Sequence, residues 1–375
     1  MPDVTDKQVL EALRRVAEPA SGRDLVALRM VRDLAVCGGA VRFRLELPTA
    51  DAPQRDAVRA AAEAAVKALP GVRQVTVVTS AGVTPSPLSR QPDALPGVKN
   101  VVAVASGKGG VGKSTVSVNI AVALARGGAK VGVMDLDAYG PSVPGLLGLP
   151  RQADGSYDVR VVDGKMVPPD RHGVRVVSLG FFAREDEPVI VRGPILDRTV
   201  HQFLSDVAWG PLDYLVCDLP PGTGDVPLSL AQRVPLTGVV VVSTPQDVAL
   251  KIAAKSIRMF EKLRVDILGI VENMSWFACP HCGGRTEIFA HGGARKAAGR
   301  YGVPFLGEIP LDPAVRVAGD AGEPVVAAQP DSPQAKAFRD VAAAVAAQVV
   351  AANRRREEAP PIAPVSFVQT GPLEV

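Results

Sequence analysis

Between residues 8 and 17 the apolar positions Val9, Leu10, Leu13 and Val16 recur at helical spacing. Val41, Phe43, Leu45 and Leu47 then alternate with Arg42, Arg44 and Glu46, as on a half-buried strand. Gly38-Gly39 predicts a hairpin turn just before that strand. A second helical pattern over 54–68 (Val58, Ala61, Ala62, Ala65, Val66) and a strand over 72–79 complete a small α+β unit, α-β-β-α-β, in residues 1–80. Residues 81–97 run through Thr84-Pro85-Ser86-Pro87 and Gln91-Pro92 without periodicity and read as a linker. Beyond it, short apolar runs at 101–105, 131–134, 215–216, 239–242 and 267–271 alternate with helical stretches. That pattern predicts an α/β domain over 98–352, with a mostly parallel sheet covered by helices on both faces. Residues 353–375 open on Arg354-Arg355-Arg356-Glu357-Glu358 and carry no apolar stripe, so a disordered tail is expected there.

Composition narrows the class. With 47% apolar and 22% charged residues the 375-residue chain can bury a real core, which excludes a wholly disordered or collagen-like protein. The 42 basic against 39 acidic residues leave a net charge of +3, too little for a whole-protein grip on nucleic acid or anionic lipid. The first residues carry no signal-type apolar stretch, and no segment approaches ~18 consecutive apolar residues. A soluble, cytoplasmic protein with neither nucleic acid nor membrane as partner is expected. Four cysteines, Cys37, Cys217, Cys279 and Cys282, do not make a disulfide framework.

The sharpest motif is Gly107-Lys108-Gly109-Gly110-Val111-Gly112-Lys113-Ser114, which fills G-x-x-x-x-G-K-S/T between a predicted strand and a helical stretch opening at Thr115. Its glycines let successive N–H groups and the helix N-terminus face phosphate oxygens. Lys113 adds a point charge, and the Ser114 hydroxyl suits Mg²⁺. Phosphoryl transfer to water also needs carboxylates at strand ends, to neutralise charge through the metal and to align the water. Asp218 is the candidate for a water-mediated link to Mg²⁺ and Asp137 for orienting water. Asp135 reads as either a residue behind the metal or a loop cap, and Asp225 as either a helix cap or a switch residue.

Cys279-Pro280-His281-Cys282-Gly283-Gly284 offers two thiolates at knuckle spacing, half of a four-ligand site. Cys217 on a core strand and Cys37 in the other domain are poorly placed to complete it. A second subunit is the simplest completion: two chains would supply four thiolates, suited to a 4Fe–4S cluster or to Zn²⁺. Gly283-Gly284 argues against the helix that a thioredoxin-type redox pair requires. His281 reads better as solvent-facing than as a ligand, and His172, His201 and His291 have no ligand spacing.

Taken together the motifs resemble the Mrp/ApbC family of iron–sulfur cluster carrier ATPases over about residues 5–350. The resemblance rests on residues 106–115, Asp135-Leu136-Asp137-Ala138-Tyr139-Gly140-Pro141-Ser142, Arg192-Gly193-Pro194, residues 206–210 with 212–216, Asp218-Leu219-Pro220-Pro221-Gly222-Thr223-Gly224-Asp225, Glu272-Asn273-Met274-Ser275 and the Cys-x-x-Cys. It implies a deviant P-loop ATPase that binds ATP and hydrolyses it slowly as a homodimer. In such a dimer Lys108 contacts nucleotide across the interface, and Asn273 sits where relatives bind adenine, although a cap or turn role fits that position equally. It further implies a labile 4Fe–4S cluster bridged by Cys279 and Cys282, with apo iron–sulfur proteins and cluster-assembly scaffolds as partners. The first 80 residues resemble the MIP18-like (DUF59) module fused to such carriers. The cysteine usual after its central strand is missing from Leu47-Pro48-Thr49-Ala50-Asp51, and Ile252 stands where relatives carry an aspartate. The competing reading is a partitioning-type, spatial-organising ATPase with a structural zinc staple.

Overall fold

A computed structural model describes residues 4–358 apart from 20–21, 48–51, 81–82, 84, 91–94, 139, 183–192, 225–226, 229, 231–233, 235 and 280. Asp225, Arg192 and Pro280 therefore lie outside the described residues.

The N-terminal unit follows its expected order: α1 (Asp6–Leu13), β1 (Val31–Cys37), β2 (Ala40–Glu46), α2 (Ala52–Lys67) and β3 (Gln74–Ser80). Thr5 and Gln8 close a capping box on α1. The β1–β2 hairpin turns at Gly38 and Gly39, with φ of 55° and 82°, and a side chain at Gly39 would start 2.6 Å from the Gly71 carbonyl oxygen. Pairing is antiparallel for β1–β2 and parallel for β2–β3. Phe43 and Leu45 pack with Leu13 and Val58 beneath them.

The larger unit runs β4 (Val98–Ser106), α3 (Lys113–Arg126), β5 (Val131–Asp135), α4 (Val143–Leu146), β6 (Arg160–Val162), β7 (Lys165–Val167), β8 (Asp170–Arg171) and β9 (Val174–Ser178). It continues through α5 (Gly193–Ser205), β10 (Leu212–Asp218), β11 (Gly238–Ser243), α6 (Asp247–Lys262), β12 (Ile267–Ala278), β13 (Arg285–Thr286) and α7 (Gly293–Tyr301). β14 (Phe305–Leu311), α8 (Pro313–Asp320), α9 (Val325–Ala328) and α10 (Pro333–Glu358) complete it. Its nine-stranded sheet has the order β13-β12-β11-β4-β10-β5-β9-β8, with β14 on β12, and only the pairings of β8 and β13 are antiparallel. Adjacent residues serve opposite cores, as strand pleating requires. Val102 and Val104 join α3 and α10 through Ile120, Phe338 and Val345, whereas Ala103 and Ala105 join Phe203, Trp209 and Phe260.

Two expectations need correction. The apolar run at 267–271 marks only the first part of β12, which continues to Ala278. The supposedly disordered stretch from 353 begins inside α10, which stays helical to Glu358 because its end finds partners in the sheet. Asn353 donates to Asn100 Oδ1 at 2.9 Å, Arg356 to the Thr237 carbonyl at 3.0 Å, and Arg355 and Arg356 both pair with Asp266. Residues 359–375 lie outside the described residues.

Candidate functional site

Parallel register assembles the phosphate site. β10 lies between β4 and β5, so Asp218 stands opposite Val104 on one side and Asp135 on the other, at the strand ends where the loop to α3 begins. The loop is glycine-dependent at defined points: Gly110 and Gly112 have φ of 77° and 79°. A methyl on Gly107 would lie 2.6 Å from the backbone of Ile252 and Ala253, so α6 packs directly under the loop. Ile252 meets Gly107 with its backbone and Cγ2.

A cleft of about 210 Å³ opens over this loop, lined by Lys108, Gly109, Gly110, Gly112, Lys113, Ser114, Thr115 and Asp137 among others. At its base Asp218 is fully buried. Its Oδ2 accepts from Lys113 Nζ at 2.7 Å and Ser114 Oγ at 2.6 Å, while Oδ1 accepts from Ser117 Oγ at 2.6 Å. Lys113 Nζ also lies 3.5 Å from Asp137 Oδ2. Asp135 sits behind them, accepting from Ser178 Oγ at 2.8 Å and from the amides of Asp137 and Val143. Burial, with the neighbouring Asp218 charge adding to it, pushes the Asp135 carboxyl up to about 7. Asp135 thus supports the loop that carries Asp137. Lys108 Nζ donates to Gln246 Oε1 at 3.1 Å, at the start of α6.

Asn273 is drawn against the loop itself. Its Nδ2 donates to the Val111 carbonyl at 2.8 Å, and a methyl at Gly112 would lie only 2.2 Å from that nitrogen. The next residue, Met274, has φ of 55°, left-handed for a non-glycine residue and a strain of about 1–3 kcal/mol. There the register of β12 on β14 breaks, between Asn273 and Phe277.

Six residues beyond Asn273, Cys279 directly follows the last residue of the same strand. The Cys-x-x-Cys is a hairpin knuckle rather than a helix start: Phe277 and Ala278 pair with Thr286 and Arg285, and the Cys279 amide donates to the Gly284 carbonyl at 2.9 Å. Cys282 is exposed and Cys279 half-buried. The amides of Cys282 and then His281, with the Cys282 thiol, point at the Cys279 sulfur and hold its thiol below the ordinary range. Cys217 is sealed in β10, where burial pushes its thiol up, and Cys37 is exposed on β1 in the N-terminal unit. Neither joins the knuckle.

The sequence reading missed one cluster. Glu272 and Ser275 on β12, His291 before α7 and Glu308 on β14 come together from three segments, so no spacing in the chain announces them. Ser275 Oγ lies 2.6 Å from Glu272 Oε1 and 3.0 Å from Glu308 Oε2, and His291 Nε2 lies 2.6 Å from Glu308 Oε2. The buried Glu272 accepts the Gly292 and Ala294 amides and so caps α7. Burial raises the Glu308 carboxyl, but hydrogen bonds from His291 and Ser275 outweigh it and leave the group below its ordinary value.

Residues 97–346 match the family described as NUBPL iron-transfer P-loop NTPase. The chain belongs to that family. Residues 6–77 match the family described as iron–sulfur cluster assembly protein, the small module ahead of the NTPase. Among relatives of the family, the iron–sulfur cluster carrier protein of Synechocystis is 45% identical over 350 residues, 92% of this chain and 98% of that protein. That of Deinococcus radiodurans is 47% identical over 341 residues, covering 91% and 95%. The iron–sulfur cluster transfer protein NUBPL of Dictyostelium discoideum is 46% identical over 268 residues, 70% and 82% of the two chains. A solved nucleotide-binding protein of Archaeoglobus fulgidus, in complex with ADP, is 40% identical. It superposes with a TM-score of 0.56 over 66% of this chain and 94% of that one. Among the described residues no helix is long and apolar enough to cross a membrane.

Proposed function

We propose that this NTPase is a cytoplasmic iron–sulfur cluster carrier that binds ATP, hydrolyses it slowly, and passes a labile 4Fe–4S cluster to apo-proteins. The cluster is cargo, held between two copies of the chain by Cys279 and Cys282 of each. The observation that carries this reading is the Cys279–Cys282 knuckle, with Cys279 half-buried and Cys282 exposed, just past the end of the strand whose Asn273 grips the phosphate loop.

The residues divide the work as follows. Loop amides from Gly107 to Thr115 and the N-terminus of α3 hold the phosphates, and Lys113 leaves Asp218 to neutralise them. Ser114 Oγ and Asp218 Oδ2, 2.6 Å apart, are hard oxygen donors that would hold Mg²⁺, Asp218 through water. Mg²⁺ supplies charge neutralisation at the transferred phosphoryl group. Asp137 orients the attacking water from the rim of the cleft. Lys108 exchanges Gln246 for nucleotide on the opposite subunit, so ATP favours one dimer arrangement over another, and that preference shifts how tightly the four thiolates hold the cargo. Asn273 supports the loop through one Nδ2 hydrogen, and adenine contact would use the remaining atoms of its amide. The N-terminal module, residues 1–80, joined through 81–97, takes no part in the thiol chemistry.

The test is iron, sulfide and zinc content with the visible spectrum after anaerobic reconstitution, on the wild type and on the Cys279→Ala, Cys282→Ala double variant. About four irons and four sulfides per dimer, absent from the variant, are the expected result. Stoichiometric, non-exchanging zinc without a charge-transfer band would overturn it in favour of a structural staple.

A further inference from the structure

Cys279 lies six positions beyond Asn273, which holds the phosphate loop, and the strand that leads from one to the other is neither regular nor unsupported. Asn273 holds Val111, and Met274 Cε lies 3.6 Å from where a methyl on Gly112 would sit, so two successive residues of β12 rest on the loop. Met274 is the residue in the left-handed conformation. Such a residue persists only where its surroundings over-determine it. Flanking it is the side-chain chain Glu272–Ser275–Glu308–His291, which ties β12 to β14 where their register breaks between Asn273 and Phe277.

The same atoms have the spacing of a cation site, with ligand atoms of Glu272, His291 and Glu308 all within 4.8 Å of one another. Their hydrogen bonds argue for a brace instead. The Glu272 oxygens already accept two amides, His291 Nε2 donates to Glu308 Oε2, and the one Ser275 hydroxyl proton lies between the two carboxylates. An extended Met274 would erase the bulge and slide Phe277, Ala278 and therefore Cys279 along β14, because strand register advances by whole residues. A bend that one register step would erase offers the two discrete arrangements that coupling between two sites requires.

We propose that the Met274 bend is the lever between nucleotide and knuckle, and that Ser275, Glu308 and His291 are positioning residues that hold it. Occupancy of the phosphate loop moves Asn273 and Met274, and the brace converts that movement into a changed geometry at Cys279 and Cys282. The inference rests on the carrier reading for its purpose, though its mechanics concern the protein without cargo.

The experiment uses the full-length apo chain. Iodoacetamide alkylation of Cys279 and Cys282 is followed by mass spectrometry with and without Mg·ADP, and the exposed Cys37 serves as internal reference. In the wild type, Mg·ADP should change the knuckle alkylation rate by about five-fold or more, the lower end of ordinary coupling. His291→Ala should bring that ratio close to one while Mg·ADP affinity, read by titration calorimetry, stays near the wild-type value. His291→Gln keeps a donor to Glu308 and should restore most of the effect, an outcome a merely structural role would not produce. An undiminished ratio in His291→Ala, or its loss only together with nucleotide binding, overturns the proposal. So does a wild type whose alkylation ignores the nucleotide. Because this measurement needs no cluster, a chain that fails to load iron and sulfide refutes the carrier reading without deciding the lever.

Discussion

Lys113 Nζ lies 2.7 Å from Asp218 Oδ2 in a pocket where the lysine is 6% exposed and the aspartate 0%. Asp135 is buried alongside, so the lysine is the positive charge that lets two carboxylates share the base of the cleft. Removing one partner of a buried pair leaves an uncompensated charge, at a cost of about 3–5 kcal/mol. Lys113→Ala should therefore lose about that much stability in urea denaturation besides losing nucleotide binding. Adding Asp218→Asn in the same chain should recover most of it, because the orphaned charge is gone. A double variant no more stable than Lys113→Ala would contradict this account of the pocket.

The same burial makes a pH prediction. The Asp135 carboxyl is raised from 3.8 to about 7, so between those values the native chain holds a proton that the unfolded chain has released. Its contribution to stability is then fullest at low pH, falls as pH rises through that window, and levels off above it, by a few kcal/mol in all. Other carboxylates such as Glu308, whose value is lowered, act oppositely and at lower pH. The informative quantity is thus the difference between wild type and Asp135→Asn in denaturation midpoints measured from pH 4 to 8. That difference should move in favour of Asp135→Asn as pH rises. A constant offset, of the kind an amide nitrogen facing the Val143 N–H would give, means that Asp135 is not the titrating group.

How much of this was legible in the chain follows from how local each feature is. Gly107 to Ser114 lie in one loop between strand and helix, and the turn at Gly38-Gly39 is likewise encoded within a few residues. The Cys-x-x-Cys is local too, and its two glycines correctly excluded a helix. Partners distant in sequence were out of reach. Asp266, Thr237 and Asn100 keep α10 helical through an arginine-rich stretch that by composition alone would unravel. Ser117 meets Asp218 because one turn of α3 separates it from Lys113, but a serine inside an alanine- and valine-rich helix carries no mark of that contact. β14 and β9 were not anticipated, since Gly307 and Glu308 interrupt one apolar run and polar Arg175 the other. Glu272, Ser275, His291 and Glu308 belong to three segments and meet only after the sheet has formed.

Gly112 permits a direct test of the packing between loop and strand. Its φ of 79° disfavours any side chain, and a methyl would meet Asn273 Nδ2 at 2.2 Å. Gly112→Ala should cost about 1–3 kcal/mol from the backbone alone, with the clash added to it. Asn273→Ala in that background removes the clash and leaves the backbone strain, so it should return part of the lost stability and none of the remainder. If Asn273→Ala instead makes Gly112→Ala worse by its full single-variant cost, the two residues do not touch in solution.

Lys108 separates the chemistry of one subunit from that of two. Among the described residues its ammonium donates to Gln246 Oε1 at the start of α6, in a partly buried position lining the cleft. Losing such a neutral-acceptor contact should change stability by no more than about 0.5–1.5 kcal/mol. If its work is instead to reach nucleotide on an opposite subunit, Lys108→Ala should bind Mg·ATP nearly as the wild type does while failing to form the nucleotide-dependent dimer. Light scattering after size-exclusion, with and without Mg·ATP, distinguishes the cases, and ATP turnover should fall along with the dimer. A variant that still dimerises on ATP and turns it over at the wild-type rate would show that Lys108 serves only Gln246, and the proposed active site would then be complete within a single chain.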